Sequence, residues 1–141
     1  MSAPVEVALA MLERDGRWLM QLRDSIPGIV APGCWGLFGG HLDSGETPEQ
    51  AVRRELIEEI GWPAGELNFW RSHTNERRVA HLFLGPLTVP LEQLQLLEGE
   101  AMALVRSAEL LSGRIWSEAV QEFRPLAPGL AEALGPLLKH G

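Results

Sequence analysis

The chain has 141 residues, a formal charge of −7 and one cysteine. That length predicts a single domain, residues 1–141, with a real core. No run reaches the ~18 apolar residues that a membrane helix needs, and the acidic balance argues against non-specific binding to nucleic-acid backbone.

VEVALAML, residues 5–12, is a nearly unbroken apolar run and predicts a buried strand. The N-terminus lacks the basic region of a signal peptide and meets acidic residues early, so a cytoplasmic location is expected. RDG offers a turn, and RWLMQLR (17–23) is the expected hairpin partner. DSIPGIVAPGC (24–34) holds two prolines and two glycines and reads as a loop leading into WGLFGG. Cys34 has no partner for an internal disulfide, suits a reducing compartment and reads as a small apolar residue. No CxxC or His-x-x-x-His spacing links Cys34, His41, His73, His81 and His140, which argues against zinc.

ELNFWRSHT (66–74) and RVAHLFLGPL (78–87) predict a second strand pair, turning at Asn75 and Glu76, with His73 facing His81. LTVPLEQLQLLEGEA reads as a loop, MALVR as a short strand and SAELL as a short helix from Ser107. PGLAEALGPLLKH predicts a C-terminal helix interrupted at Gly135-Pro136. Trp18 and Trp70 are assigned to the core.

The clearest helix lies between these strand pairs. Thr47 is the expected N-cap, Pro48 the first helical residue, and Gln50 completes a capping box. Gly61 suits the position past the end, and Pro63 stops continuation. At about 100° per residue, Val52, Leu56, Ile57 and Ile60 share an arc of roughly 140° and form the expected core face. Glu55, Glu58 and Glu59 occupy a separate arc of roughly 100°. Like charges at i and i+4 oppose helix formation, and two of the three sit toward the negative end of the helix dipole. Two readings fit these residues alone: a solvated acidic face, or a site for a hard divalent cation.

Context brings in a resemblance. In GGHLDSGETPEQAVRRELIEEIGW, Gly40 is followed after five residues by Glu46 and after seven more by Arg54-Glu55-Leu56. Glu58-Glu59 and Gly61 complete the series. This resembles the Nudix box, the signature of hydrolases acting on a nucleoside diphosphate linked to another group. It is a MutT-like pattern, with Trp62 at the closing apolar position. The resemblance implies an α/β Nudix fold, an α/β/α sandwich with a mixed central sheet. It implies metal ligation by Glu55, Glu58 and Glu59 with the Gly39 carbonyl, and an Arg54–Glu46 pair that orients the ligands. LEGEAMALV resembles the stretch from which a loop glutamate reaches the metals in MutT-type members; Glu98 matches, with Glu100 the alternative. Arg23 resembles a phosphate-binding residue of some members, although a surface arginine reads the same. Trp35, Phe38 and Phe83 are the aromatic candidates for substrate contact.

The implied reaction is attack of water on phosphorus in a P–O–P bridge, assisted by Mg²⁺, with Mn²⁺ as a substitute. Glu58, Glu59 and Glu98 are all candidates for the base. The implied partner is a small nucleotide, most simply a nucleoside triphosphate or a nucleotide sugar, with no nucleic acid and no membrane. Many relatives form dimers, so a homodimer is compatible. Pro128 stands where an asparagine serves oxidised-dGTP recognition, and the chain has no tyrosine for the dinucleoside-polyphosphate pattern. The proline typical of ADP-ribose enzymes is also missing beyond the box. A different class, a Nudix-fold module that binds a nucleotide metabolite without cleaving it, is the alternative; loss of box glutamates would mark it, and none is lost.

Overall fold

The computed structural model describes residues 4–29 and 31–138. In chain order the elements are β1 (Val5–Arg14), β2 (Arg17–Leu22), β3 (Trp35–Gly36), β4 (Phe38–His41) and α1 (Pro48–Ile60). Next come β5 (Asn68–Thr74), β6 (Arg78–Pro86) and β7 (Ala101–Val105). The series ends with α2 (Ser107–Ser112), β8 (Arg114–Ser117), β9 (Glu122–Pro125) and α3 (Leu130–Leu138). These elements gather into two compact units. One combines the chain up to Glu13 with Leu37–Leu97; the other combines Arg14–Gly36 with the chain from Glu98 onward.

In the first unit, β1 pairs antiparallel with β4, from Val7 opposite His41 to Ala10 opposite Phe38. It pairs parallel with β6, from Val5 opposite Arg78 to Glu13 opposite Pro86. β5 lies antiparallel on β6, with a register shift between Phe69 and Arg71. The result is a mixed sheet in the order β4-β1-β6-β5. A parallel pair needs a long crossover, and the segment carrying α1 supplies it. β1 buries every residue from Val7 to Leu12, which explains an apolar run without alternation. The strand register sets His81 opposite Ser72 and His73 opposite Ala80, so the expected facing of the two histidines is not observed. Asn75 makes the turn by accepting from the backbone N–H groups of Arg77 and Arg78.

α1 begins as its sequence directs: Thr47 accepts from the Gln50 N–H, and the Gln50 side chain accepts from the Thr47 N–H. It ends at Gly61, in the left-handed region with φ 62°. The buried face differs from expectation. Val52, Leu56 and Ile60 are fully buried, but Ile57 is 52% exposed, whereas Ala51 and Glu59 are covered. On the helical wheel the covered arc runs from Ala51 through Glu59 and Val52 to Ile60 and leaves Ile57 outside. The packed face is thus rotated toward the carboxylates.

In the second unit, β2 pairs antiparallel with β7, from Trp18 opposite Val105 to Leu22 opposite Ala101, and with the two residues of β3. Trp18 and Trp35 bury their rings and satisfy their indole N–H groups on Ser107 Oγ and the Ile115 carbonyl, both at 3.1 Å. β8 and β9 form a hairpin on which Trp116 and Phe123 meet edge to face. The break expected at Gly135-Pro136 does not occur: α3 continues through Pro136 to Leu138. Leu134 and Leu138, buried on either side of the proline, hold the short helix together despite the lost backbone donor. Lys139 and His140, the end of that predicted helix, lie outside the described residues.

Candidate functional site

α1 and β4 meet where the sequence concentrates glycine and glutamate. Gly39 holds φ 139°, and a Cβ there would stand 2.1 Å from the Ala8 carbonyl oxygen, so β4 can lie on β1 at this point only without a side chain. The Gly39 N–H donates to Glu59 Oε1 at 2.7 Å. Glu59 is only 3% exposed, so its carboxylate is held inside the structure by a charge-assisted hydrogen bond. Gly40 serves Glu55 in another way. A Cβ at Gly40 would come within 2.7 to 2.9 Å of the Glu55 carboxyl, which therefore rests directly on the glycine backbone.

Arg54 sits among the remaining carboxylates. Its Nε and Nη2 donate to the two oxygens of Glu46 at 2.8 and 3.0 Å, and Nη2 also donates to the His41 carbonyl. Its Nη1 reaches Glu55 at 3.0 Å and Glu58 at 3.1 Å, and Asp43 lies 3.4 Å from Nε. These hydrogen bonds, first among them the one to Glu46, raise the Arg54 pKa above its ordinary value. In return Arg54 holds the Glu46 carboxyl below its usual 4.5, helped by the Asp43 backbone N–H. One guanidinium thus ties the loop before α1 to Glu55 and Glu58 on the helix.

Among the described residues, no three His, Cys, Asp or Glu side chains converge as a ready set of metal ligands. The local contacts explain this: Arg54 draws Glu55 and Glu58, and Glu59 turns to Gly39. The donor set nevertheless fits a hard divalent cation, because it offers carboxylate oxygens from one helix arc beside bent backbone. Glu58, with a side chain 56% exposed, has room to reorient.

Glu98 and Arg23 belong to the second unit, where they line one small recess with Gln21, Asp24, Ile29 and Gly99. Glu100, the alternative to Glu98, accepts from the Ser25 N–H at 3.0 Å. Leu97, just before Glu98 in the chain, donates to the Glu59 carbonyl at 2.8 Å. The three aromatic candidates are corrected. Trp35 and Phe38 are 1% exposed and Phe83 is 3% exposed, so none offers a free ring face. Trp35 is fixed through its indole, and Phe83 packs edge to face with Phe69 at 5.7 Å. Trp70, assigned to the core, is half-buried and lies beneath the Arg71 guanidinium. Asp43 was missed by the sequence reading; an aspartate three residues before Glu46 in a tight loop was the available signal.

Fold and site together define an α/β protein organised around a loop, a glutamate-bearing helix and a bent glycine strand. The NUDIX domain model matches residues 3–124, and the chain belongs to that family. It is similar to the CTP pyrophosphohydrolase of Escherichia coli (strain K12), 36% identical over 80 residues. That match covers 55% of this chain and 58% of the relative's length. The nucleoside triphosphatase NudI of Enterobacter sp. (strain 638) is 38% identical over 55 residues, 39% of this chain and 38% of that protein. Among solved structures, the MutT NUDIX hydrolase from Burkholderia pseudomallei superposes with a TM-score of 0.71 at 26% identity. The superposition covers 95% of this chain and 98% of that one. The solution structure of the E. coli ORF135 protein gives 0.61 at 31% identity, covering 96% and 86%.

Proposed function

We propose that this protein is a divalent-metal-dependent hydrolase that cleaves nucleoside triphosphates to a nucleoside monophosphate and pyrophosphate. The supporting observation is the burial of the Glu59 carboxylate at 3% exposure against the Gly39 N–H. Burying a charge costs stability unless it is paired, and a core would be served as well by an apolar side chain. The names of the CTP pyrophosphohydrolase and nucleoside triphosphatase relatives favour a triphosphate over a nucleotide sugar.

Glu55, Glu58 and Glu59, with the Gly39 carbonyl, would hold Mg²⁺ or Mn²⁺. A cation bound there would neutralise phosphate oxygens and make the attacking water more acidic. Arg54 keeps the loop and helix in one arrangement through Glu46, so the carboxylates do not have to be ordered at each turnover. Water adds to phosphorus, the bridging P–O bond breaks, and pyrophosphate leaves with the electron pair. The water's proton passes to a carboxylate and then to solvent. Glu59 is already tied to Gly39, so Glu58 and Glu98 are the favoured acceptors. Arg23 is the candidate for pairing with a substrate phosphate.

The test is product analysis over CTP, other nucleoside triphosphates and nucleotide sugars, with Mg²⁺ or Mn²⁺. The reading requires a monophosphate and pyrophosphate in equal amounts. Binding without turnover of any of these compounds would instead identify a non-catalytic nucleotide module.

A further inference from the structure

Gln21 is the one polar residue in the buried run of β2, whose sequence is otherwise Trp18, Leu19, Met20 and Leu22. It is 2% exposed. Its Nε2 donates to the backbone carbonyl of Glu98 at 2.9 Å. That bond fixes the orientation of the carboxamide, since only the nitrogen can donate. The other atom, Oε1, is the one buried side-chain polar atom with no hydrogen-bond partner among the described residues.

The Glu98 loop is moulded on this side chain. Gly99 holds φ 97°, and a Cβ there would stand 2.9 Å from both Cγ and Nε2 of Gln21 and 3.0 Å from the Leu22 carbonyl oxygen. Beyond it, the Glu100 N–H donates to that same carbonyl at 2.9 Å, and the Glu100 side chain accepts from Ser25. The segment 98–100 is therefore gripped by β2 and the loop after it, with Gln21 against the carbonyl of Glu98 itself. Glu98 and Gln21 also share a recess of about 20 Å³, enough for a water-sized group beside Arg23. An unmatched acceptor weakens a core, so methionine or leucine would serve simple packing better. What the carboxamide adds is a fixed Glu98 main chain.

We infer that Gln21 is a positioning residue that sets where the Glu98 carboxylate stands. The inference rests on the reading of Glu98 as a group that works in the hydrolysis. Gln21 would not touch substrate; it would act through the loop, as outer partners of metal and catalytic groups do.

The test uses the full chain, with CTP and Mg²⁺, and the variants Gln21→Met, Glu98→Gln and the double variant. Gln21→Met should lower kcat about 10- to 100-fold, the usual cost of losing such a partner, with KM little changed. Its melting temperature should change little, because the unmatched oxygen is gone while the Glu98 carbonyl loses its donor. In the Glu98→Gln background the same substitution should cost nothing further, since both act through one group. A Gln21→Met enzyme with full kcat, beside an impaired Glu98→Gln, overturns the inference alone. A fully active Glu98→Gln overturns the reading of Glu98 and the inference with it. A readout independent of turnover is hydrogen exchange at the Glu100 amide, which should speed up in Gln21→Met. Unchanged exchange also overturns the inference. Should Gln21→Met not fold, Gln21→Leu carries the same comparison.

Discussion

Replacing Gly39 with alanine should strike fold and site together. The new methyl would meet the Ala8 carbonyl oxygen at 2.1 Å, Leu9 Cα at 2.8 Å and the Ala8 carbonyl carbon at 3.0 Å. All three atoms are main chain in β1, so no rotamer change relieves the contact. β4 must move away by about an ångström, which disturbs its pairing at Leu9–Gly39 and Ala8–Gly40. An L-residue at φ 139° adds roughly 1–3 kcal/mol of strain. Weakened pairing adds about 1 kcal/mol for each hydrogen bond lost, and losing the Gly39–Glu59 bond adds about 1.5 kcal/mol or more. The expected total is about 4 kcal/mol or more, a large share of the roughly 5–15 kcal/mol that stabilises a typical domain. Urea unfolding followed by tryptophan fluorescence measures it. Gly45→Ala is the control: its φ is 82°, but no atom lies within 4 Å of the new methyl. It should cost only about 1–2 kcal/mol. If Gly39→Ala loses no more than its control, with the same denaturant slope, the close approach of β4 to β1 is refuted.

Other outcomes follow from the same contacts. Glu59→Gln should leave the urea midpoint near that of the parent and lower turnover by orders of magnitude; near-normal rates with Mg²⁺ would remove Glu59 from the site. Gly40→Ala should push the Glu55 carboxyl aside and weaken Mg²⁺ activation while the unfolding curve shifts little, as read from the metal dependence of the rate. Glu46 has its pKa lowered in the folded chain, so its stabilising contribution is complete above the ordinary 4.5 and disappears as pH falls through the lower folded value. Glu46→Gln should therefore be less stable than the parent at neutral pH, with the difference closing below pH 4.5 in acid titrations of stability. Leu82→Ala, at a fully buried β6 position, should cost about 2–5 kcal/mol in the same unfolding assay.

The two ends of α1 were legible because capping is local: Thr47, Pro48, Gln50 and Gly61 act on backbone a few bonds away. Which arc of the helix is covered was not. Periodicity grouped Ile57 with the apolar residues and set Glu59 apart with Glu55 and Glu58, but the covered arc contains Glu59 and leaves Ile57 out. A wheel gives angles between side chains and no absolute direction. β4 escaped notice because FGGH has neither alternation nor β-branched residues; its place is set by the absence of side chains at Gly39 and Gly40. β8 and β9 are four residues each, too short for a period to register, and β9 buries none of its residues. The box residues were legible as a set, but the way Arg54 divides its bonds among four carboxylates depends on side-chain positions that no spacing encodes. Gln21 did leave a trace: a lone amide within five otherwise apolar buried residues.

Arg54 also bears on what the protein is like before any ion arrives. A resident counter-ion spares the glutamates their mutual repulsion, so the helix can form in a metal-poor setting and treatment with a chelator should leave it folded. If Glu55 and Glu58 are the ligands proposed above, an incoming divalent ion would have to win them from a guanidinium that Glu46 and the His41 carbonyl keep close by. On the proposed reading, occupancy would be a contest between that ion and the guanidinium. Such a site should load and unload with the surrounding magnesium concentration rather than trap a permanent metal.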